Sequence, residues 1–103
     1  MRARSSWLSI IKSNQRRRIL ARSFAVLVRQ AGLSQALAFV DSRGKEAHKA
    51  LGNDLAQVLG YRDLRELAEA AREAELLQYL RLTREVLAAA EWFKRFAQAL
   101  IEE

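Results

Sequence analysis

Proline is absent from all 103 residues, and no stretch sustains the alternation of apolar and polar side chains that a half-buried strand requires. Without proline nothing interrupts backbone hydrogen bonding. Ala, Leu, Arg and Glu, all strong helix formers, dominate the composition. The chain is therefore read as all-α, a single compact domain of five to six helices. Half of the residues are apolar and 29% are charged, enough for one packed interior at a length where cores rarely divide. Four glycines, Gly32, Gly44, Gly52 and Gly60, fall between or within the periodic stretches. Three of them stand where a left-handed residue closes a helix.

The periodicity divides the chain as follows. A first helix runs from about Gln15 to Ala31, capped by Asn14, with Leu20, Phe24, Leu27, Val28 and Ala31 as its stripe. Trp7 and Ile11 fall on the opposite side of a straight continuation, so a break is expected near Ser13, with residues 1–13 a candidate mobile segment and 14–101 the core. A second helix, Gln35–Arg43 after a Ser34 cap, is apolar nearly all round and reads as buried. A third runs from Glu46 to Leu59, with Ala47, Leu51, Leu55, Val58 and Leu59 inward and Gly60 ending it. Asp63 and Glu66 form a capping-box pattern that opens a fourth. The rest, about Ala74 to Ile101, is one long helix or two with Thr83 as a boundary. Its inward stripe is Tyr79, Leu82, Val86, Ala90, Phe93, Ala97 and Leu100. The expected core is Leu20, Phe24, Leu37, Phe39, Leu55, Leu82, Val86, Phe93 and Ala97.

Several function classes lose their footing on residue content. There is no cysteine, which removes disulfides, thiolate catalysis and cysteine-ligated zinc. The longest apolar runs are about five residues, against roughly 20 for a membrane span, and residues 1–9 lack the apolar segment of a secretory signal. A cytoplasmic protein without membrane contact is expected. His48 is the only histidine. With Lys45 and Lys49 beside it, it reads as a solvent-facing member of a basic cluster and not as a general base. Gly44-Lys45 is not a phosphate loop, because the glycine needed five residues earlier is Phe39. Carboxylate pairs such as Glu66/Glu69 lie among arginines at helical pairing distance. No catalytic residue, metal site or cofactor is assigned.

Charge is the positive clue. Residues 1–52 hold 11 Lys/Arg and 2 Asp/Glu, net +9, whereas residues 53–103 hold 7 and 10, net −3. A sequence pI near 10.5 with clustered arginines is the electrostatic footprint of a polyanion binder, nucleic acid foremost. At roughly 100° per residue, Arg18, Arg22 and Arg29 share one side of the first helix, away from the Leu20/Phe24/Leu27/Ala31 stripe. Arg16, Arg17 and Arg18 also crowd its expected start, where the macrodipole disfavours cations. Arg43, Lys45 and Lys49 extend the basic set. Aromatic rings do not interleave with these charges, so phosphate contact is favoured over base stacking.

Two blocks carry a family likeness. The first is Gly32-Leu33-Ser34-Gln35-Ala36-Leu37-Ala38-Phe39, preceded by Val28-Arg29-Gln30-Ala31. The second joins Tyr79, Thr83-Arg84-Glu85 and Trp92-Phe93-Lys94-Arg95-Phe96-Ala97. Over about residues 16–101 the chain resembles the small subunit of the type III-B (Cmr) CRISPR RNA-targeting effector complex. The resemblance implies an all-helical protein without catalytic activity, copies of which stack beside the crRNA-bearing backbone subunits and line the channel for target RNA. Cleavage then belongs to other subunits. It casts Gly32, Leu33, Gln35, Phe39, Tyr79, Thr83, Glu85 and Trp92 as structural, and Lys94 and Arg95 as candidate surface contacts, with an Arg95–Glu91 ion pair as the plainer reading. The chain is short before Arg16 by comparison, which leaves Arg2 and Arg4 unassigned.

Two rivals stay open. Ala31-Gly32-Leu33-Ser34 fits the turn of a helix-turn-helix DNA-binding regulator, although Ala, Leu, Ala, Phe and Val after Gln35 offer little to base edges. A helical adaptor that binds only protein is the other.

Overall fold

A computed structural model describes the backbone of residues 2–102 and the side chains of residue 12 and residues 15–99. Five helices follow one another: α1 Arg2–Ala31, α2 Leu33–Arg43, α3 Glu46–Val58, α4 Leu64–Glu73 and α5 Leu76–Glu102. No strand occurs among the described residues, so the all-α reading holds.

The frame is the pairing of the two long helices, the largest interface between elements. At 1.5 Å per residue α1 and α5 are each about 40 Å or more in length, which accounts for a molecule measuring 54 × 24 × 23 Å. They run antiparallel: residues 21–29 of α1 share a groove with residues 90–94 of α5, while the α1–α2 turn meets Tyr79. Ala21, Phe24 and Val28 on one side and Leu82, Val86, Ala89, Ala90 and Ala97 on the other form the buried seam. The short helices cover its remaining flank, α2 through Leu33, Ala36, Leu37 and Val40, α3 through Leu51, Leu55 and Ala56, α4 through Leu64, Leu67, Ala68 and Ala71.

Helix ends are closed by specific groups. Gly32 takes φ 88° between α1 and α2, a conformation that costs a Cβ-bearing residue strain. α2 has no side-chain cap of its own. The hydroxyl of Tyr79, 45 residues away, accepts from the Ser34 amide at 3.0 Å. α3 ends in a Schellman turn, with Gly60 at φ 92°, Tyr61 N–H donating to Ala56 O at 2.8 Å and Gly60 N–H to Gln57 O at 3.1 Å. α4 is capped twice: Asp63 Oδ1 accepts from Glu66 N at 2.9 Å and Asn53 Oδ1 from Leu64 N at 2.8 Å. Within α3, Gly52 is buried, and a Cβ there would meet Leu64 Cδ1 at 2.9 Å. The close approach of α4 explains why a residue poor in helix propensity occupies that turn.

Several expectations are corrected. α1 does not begin at Asn14 or break near Ser13; it is continuous from Arg2. The side chains of Trp7, Ile11, Asn14 and Leu100 lie outside the described residues. α2 starts at Leu33 with Gly32 as its N-cap residue, so Ser34 is inside the helix. Thr83 is no boundary, since its hydroxyl donates back to Tyr79 O at 2.8 Å within a single α5. Gly44 has φ −67°, so it closes α2 without the left-handed geometry expected. Phe39 is 51% exposed and Val58 58% exposed: α2 buries one face only, and Phe39 lies outside it. Leu20 and Phe93 are partly buried against the core, and Ala31 is exposed.

These burials separate two substitutions within one helix. Leu37→Ala should cost about 2 to 5 kcal/mol in urea unfolding, and Phe39→Ala less than about 1 kcal/mol. Equal costs would contradict the orientation of α2. Tyr79→Phe should remove about 1 kcal/mol through the lost amide partner.

Candidate nucleic-acid interface

The side of α1 that meets α5 decides where the arginines point. Ala21, Phe24 and Val28 are the buried positions. At about 100° per residue their centre lies roughly 60° nearer to Arg18, Arg22 and Arg29 than the centre of the expected stripe. The ridge therefore runs beside the α1–α5 seam, not opposite it. Arg22 and Arg29 line a groove of about 230 Å³ with Ala25, Ala90, Glu91 and Lys94, and Arg18 stands exposed on the same stripe of α1. Small residues at the seam let the helices approach closely, so cations from two helices share one shallow channel.

The other candidates separate from this group. Arg16 and Arg17 line a cleft on the other flank of the seam, with Leu20, Ala47, Ala50, Leu51, Asp54 and Phe93. They sit about four turns into α1, too far from its start for the macrodipole to act, so that argument for their placement falls. Arg43, Lys45 and Lys49 are exposed around the α2–α3 junction. Arg95 is exposed on α5, where its Nε donates to Glu91 Oε1 at 3.3 Å, the i,i+4 pairing anticipated from spacing.

Glu91 is the carboxylate of this surface. Its Oε2 lies 3.2 Å from Lys94 Nζ. The hydrogen bond from Lys94 is the largest influence on its carboxyl, which is held below the ordinary value of 4.5; desolvation opposes it, and the charge of Lys94 and the hydrogen bond and charge of Arg95 act in the lowering sense. One carboxylate thus serves two cations and leaves Arg22 and Arg29 for other anions.

Some features were not foreseen. His48 is half-buried, its Nδ1 enclosed without a hydrogen-bond partner, in an apolar cleft with Phe24, Val26, Leu27, Phe39 and Val40; the solvent-facing reading is corrected. Arg65 and Arg72 of α4 line a groove with Ser34, Asp41 and Ser42, and their alternation with glutamates had hidden them as mere helix-surface pairing. Trp92, cast as structural, is 56% exposed. Among the described residues no helix is long and apolar enough to cross a membrane.

Known proteins share both the sequence and the frame. The family described as CRISPR-associated protein (Cas_Cmr5) matches residues 6–100. The chain belongs to the Cmr5 family. The CRISPR system Cmr subunit Cmr5 of Thermus thermophilus is 93% identical over 86 residues, 84% of this chain and 75% of that protein. The crystal structure of a CRISPR-associated Cmr5 family protein from the same organism superposes with a TM-score of 0.78 at 75% identity, covering 96% of this chain and 93% of the other. In this Cmr5-family chain the two sequence blocks meet in space: Gly32 and Ser34 of the first lie against the Tyr79 hydroxyl of the second.

The ion-pair geometry is testable by pH. The Glu91 carboxyl should titrate below 4.5 in side-chain NMR, and Lys94→Met should return it toward that value. Because the folded value is depressed, whatever the pair contributes is complete above 4.5 and disappears as pH falls through the folded midpoint. A midpoint at or above 4.5 in the parent chain would contradict the pairing.

Proposed function

We propose that this chain is a non-catalytic small subunit of a Cmr-type CRISPR complex, stacking in copies along the backbone subunits and holding guide and target RNA through its basic surface. The observation that carries the reading is the convergence of Arg22, Arg29 and Lys94 from two helices in one groove of a Cmr5-family chain. Arg18 and Arg29 are spaced about 16 Å along the axis, a length that meets several successive phosphates of a strand lying along α1. Such contacts position RNA without reading its sequence.

The groups that would do chemistry support the non-catalytic part. The single histidine is packed in an apolar cleft, and the groove's carboxylate is tied to Lys94 and Arg95, so neither is poised to move a proton at a phosphate. Stacking of copies is supported by two unlike apolar patches. Leu76, Leu77 and Leu80 are exposed on the first turns of α5 and Val26 and Phe39 beside the His48 cleft, a pairing suited to head-to-tail contact. The helix-turn-helix alternative is weakened by the family match over residues 6–100.

Changing Arg18, Arg22 and Arg29 together to Glu tests this. Those side chains are exposed, so folding should be nearly unaffected. The reconstituted complex should bind target RNA at least about tenfold more weakly with a flatter salt dependence, yet cleave at unchanged spacing when target is saturating. Equal affinity across a salt series would move the contact surface elsewhere, with Arg43, Lys45, Lys49 and Arg95 the next residues to change.

A further inference from the structure

Three aromatic rings fall within one stretch of α5, Trp92-Phe93-Lys94-Arg95-Phe96, and the fold treats them differently. Phe93 packs against the core. Trp92 and Phe96, one turn apart, remain 56% and 50% exposed. Their rings lie nearly parallel, 10° between planes and 5.3 Å between centroids, and Phe93 meets Trp92 edge-on at 5.4 Å and 89°. This arrangement holds two large rings in fixed orientation at the surface, where burial gains them little. Stability alone does not account for a tryptophan left in water.

The surroundings select among occupants. Phe93 lines the cleft that contains Arg16 and Arg17, with Asp54 as its acidic member. On the other side of the pair, Arg95 is exposed and shares Glu91 with Lys94. The aromatic pair thus stands between cationic groups of α1 and of α5. A nucleotide supplies both a flat ring and an anion, which matches parallel aromatic faces bordered by guanidinium groups.

We propose that Trp92 and Phe96 form a stacking platform for an unpaired base of single-stranded RNA, with Arg16, Arg17 and Arg95 engaging the flanking phosphates. This rests on the reading of the chain as an RNA-holding subunit and adds base contact to it. Every base has a π-face, so the platform is tolerant of sequence and favours unpaired over paired nucleotides.

Spectroscopy isolates the site, because the chain has two tryptophans and Trp7→Phe leaves Trp92 as the sole reporter. The full-length variant is titrated with oligouridine, with an abasic oligomer of equal length, and with polyglutamate as a polyanion lacking bases. Oligouridine should quench Trp92 emission and bind about tenfold more tightly than the abasic oligomer. In the parent chain, followed with labelled RNA, Trp92→Ala should erase that difference without changing the salt slope, and Trp92→Phe should restore most of it. Equal affinity for base-bearing and abasic oligomers, with unchanged emission, would overturn the platform and leave phosphate contact standing. Failure to bind either oligomer would remove both readings. Quenching by polyglutamate but not by oligouridine would reassign the rings to an acidic protein partner.

Discussion

Antiparallel packing of α1 on α5 is the interaction on which the rest of this protein depends. Ala21, Ala89, Ala90 and Ala97 keep the seam narrow while Phe24, Val28, Leu82 and Val86 fill it, so two long helices gain a continuous buried stripe that neither has alone. The hydrophobic effect sets the pairing, being roughly proportional to apolar area removed from water. The Tyr79 hydroxyl then fixes the α1–α2 turn against α5 by capping the Ser34 amide. α3 and α4 are in turn locked by the Gly52–Leu64 approach and the Asn53 cap.

The same seam arranges the surface. Because it is narrow, side chains on its two flanks come from both helices. On one flank Arg22 and Arg29 meet Lys94; on the other Arg16 and Arg17 flank Phe93, beyond which the Trp92–Phe96 pair stands open. Glu91, on the flank that holds Lys94, binds Lys94 and Arg95 and tempers a surface whose α1 side carries no carboxylate. Function in this account is a property of the frame: an antiparallel pair presenting the proposed phosphate-binding groups in fixed order.

Much of this was readable in the residues, and the failures have physical causes. Helix content followed from absent proline and apolar spacing, Gly60 and Asp63 behaved as end signals, and Leu82, Val86, Ala90 and Ala97 of the α5 stripe are buried as expected, with Tyr79 and Phe93 partly so. The α1 stripe was misplaced because Leu20 and Leu27 are only partly buried, lying between α5 and the short helices, while Ala21, too small to weigh in a periodicity count, sits at the centre of the seam. The expected break at Ser13 rested on Trp7 and Ile11 opposing that misplaced stripe. Phe39 looked like core because α2 is apolar all round, and apolar content cannot say which face a neighbour covers. The basic residues were recognisable by charge, but their division into separate flanks depends on α5, which pattern within α1 cannot reveal. Arg65 and Arg72 were lost among glutamates, and Trp92 was assigned to structure by likeness alone.

Backbone NMR of the full-length chain during titration with a short single-stranded RNA at low salt asks the central question directly. Amide shifts should concentrate at residues 16–29 of α1 and 91–96 of α5, along the flanks of the seam, and fade together as salt is raised. Shifts confined to α4 or to the α2–α3 junction, or persisting unchanged in high salt, would contradict the assignment of RNA to the α1–α5 frame.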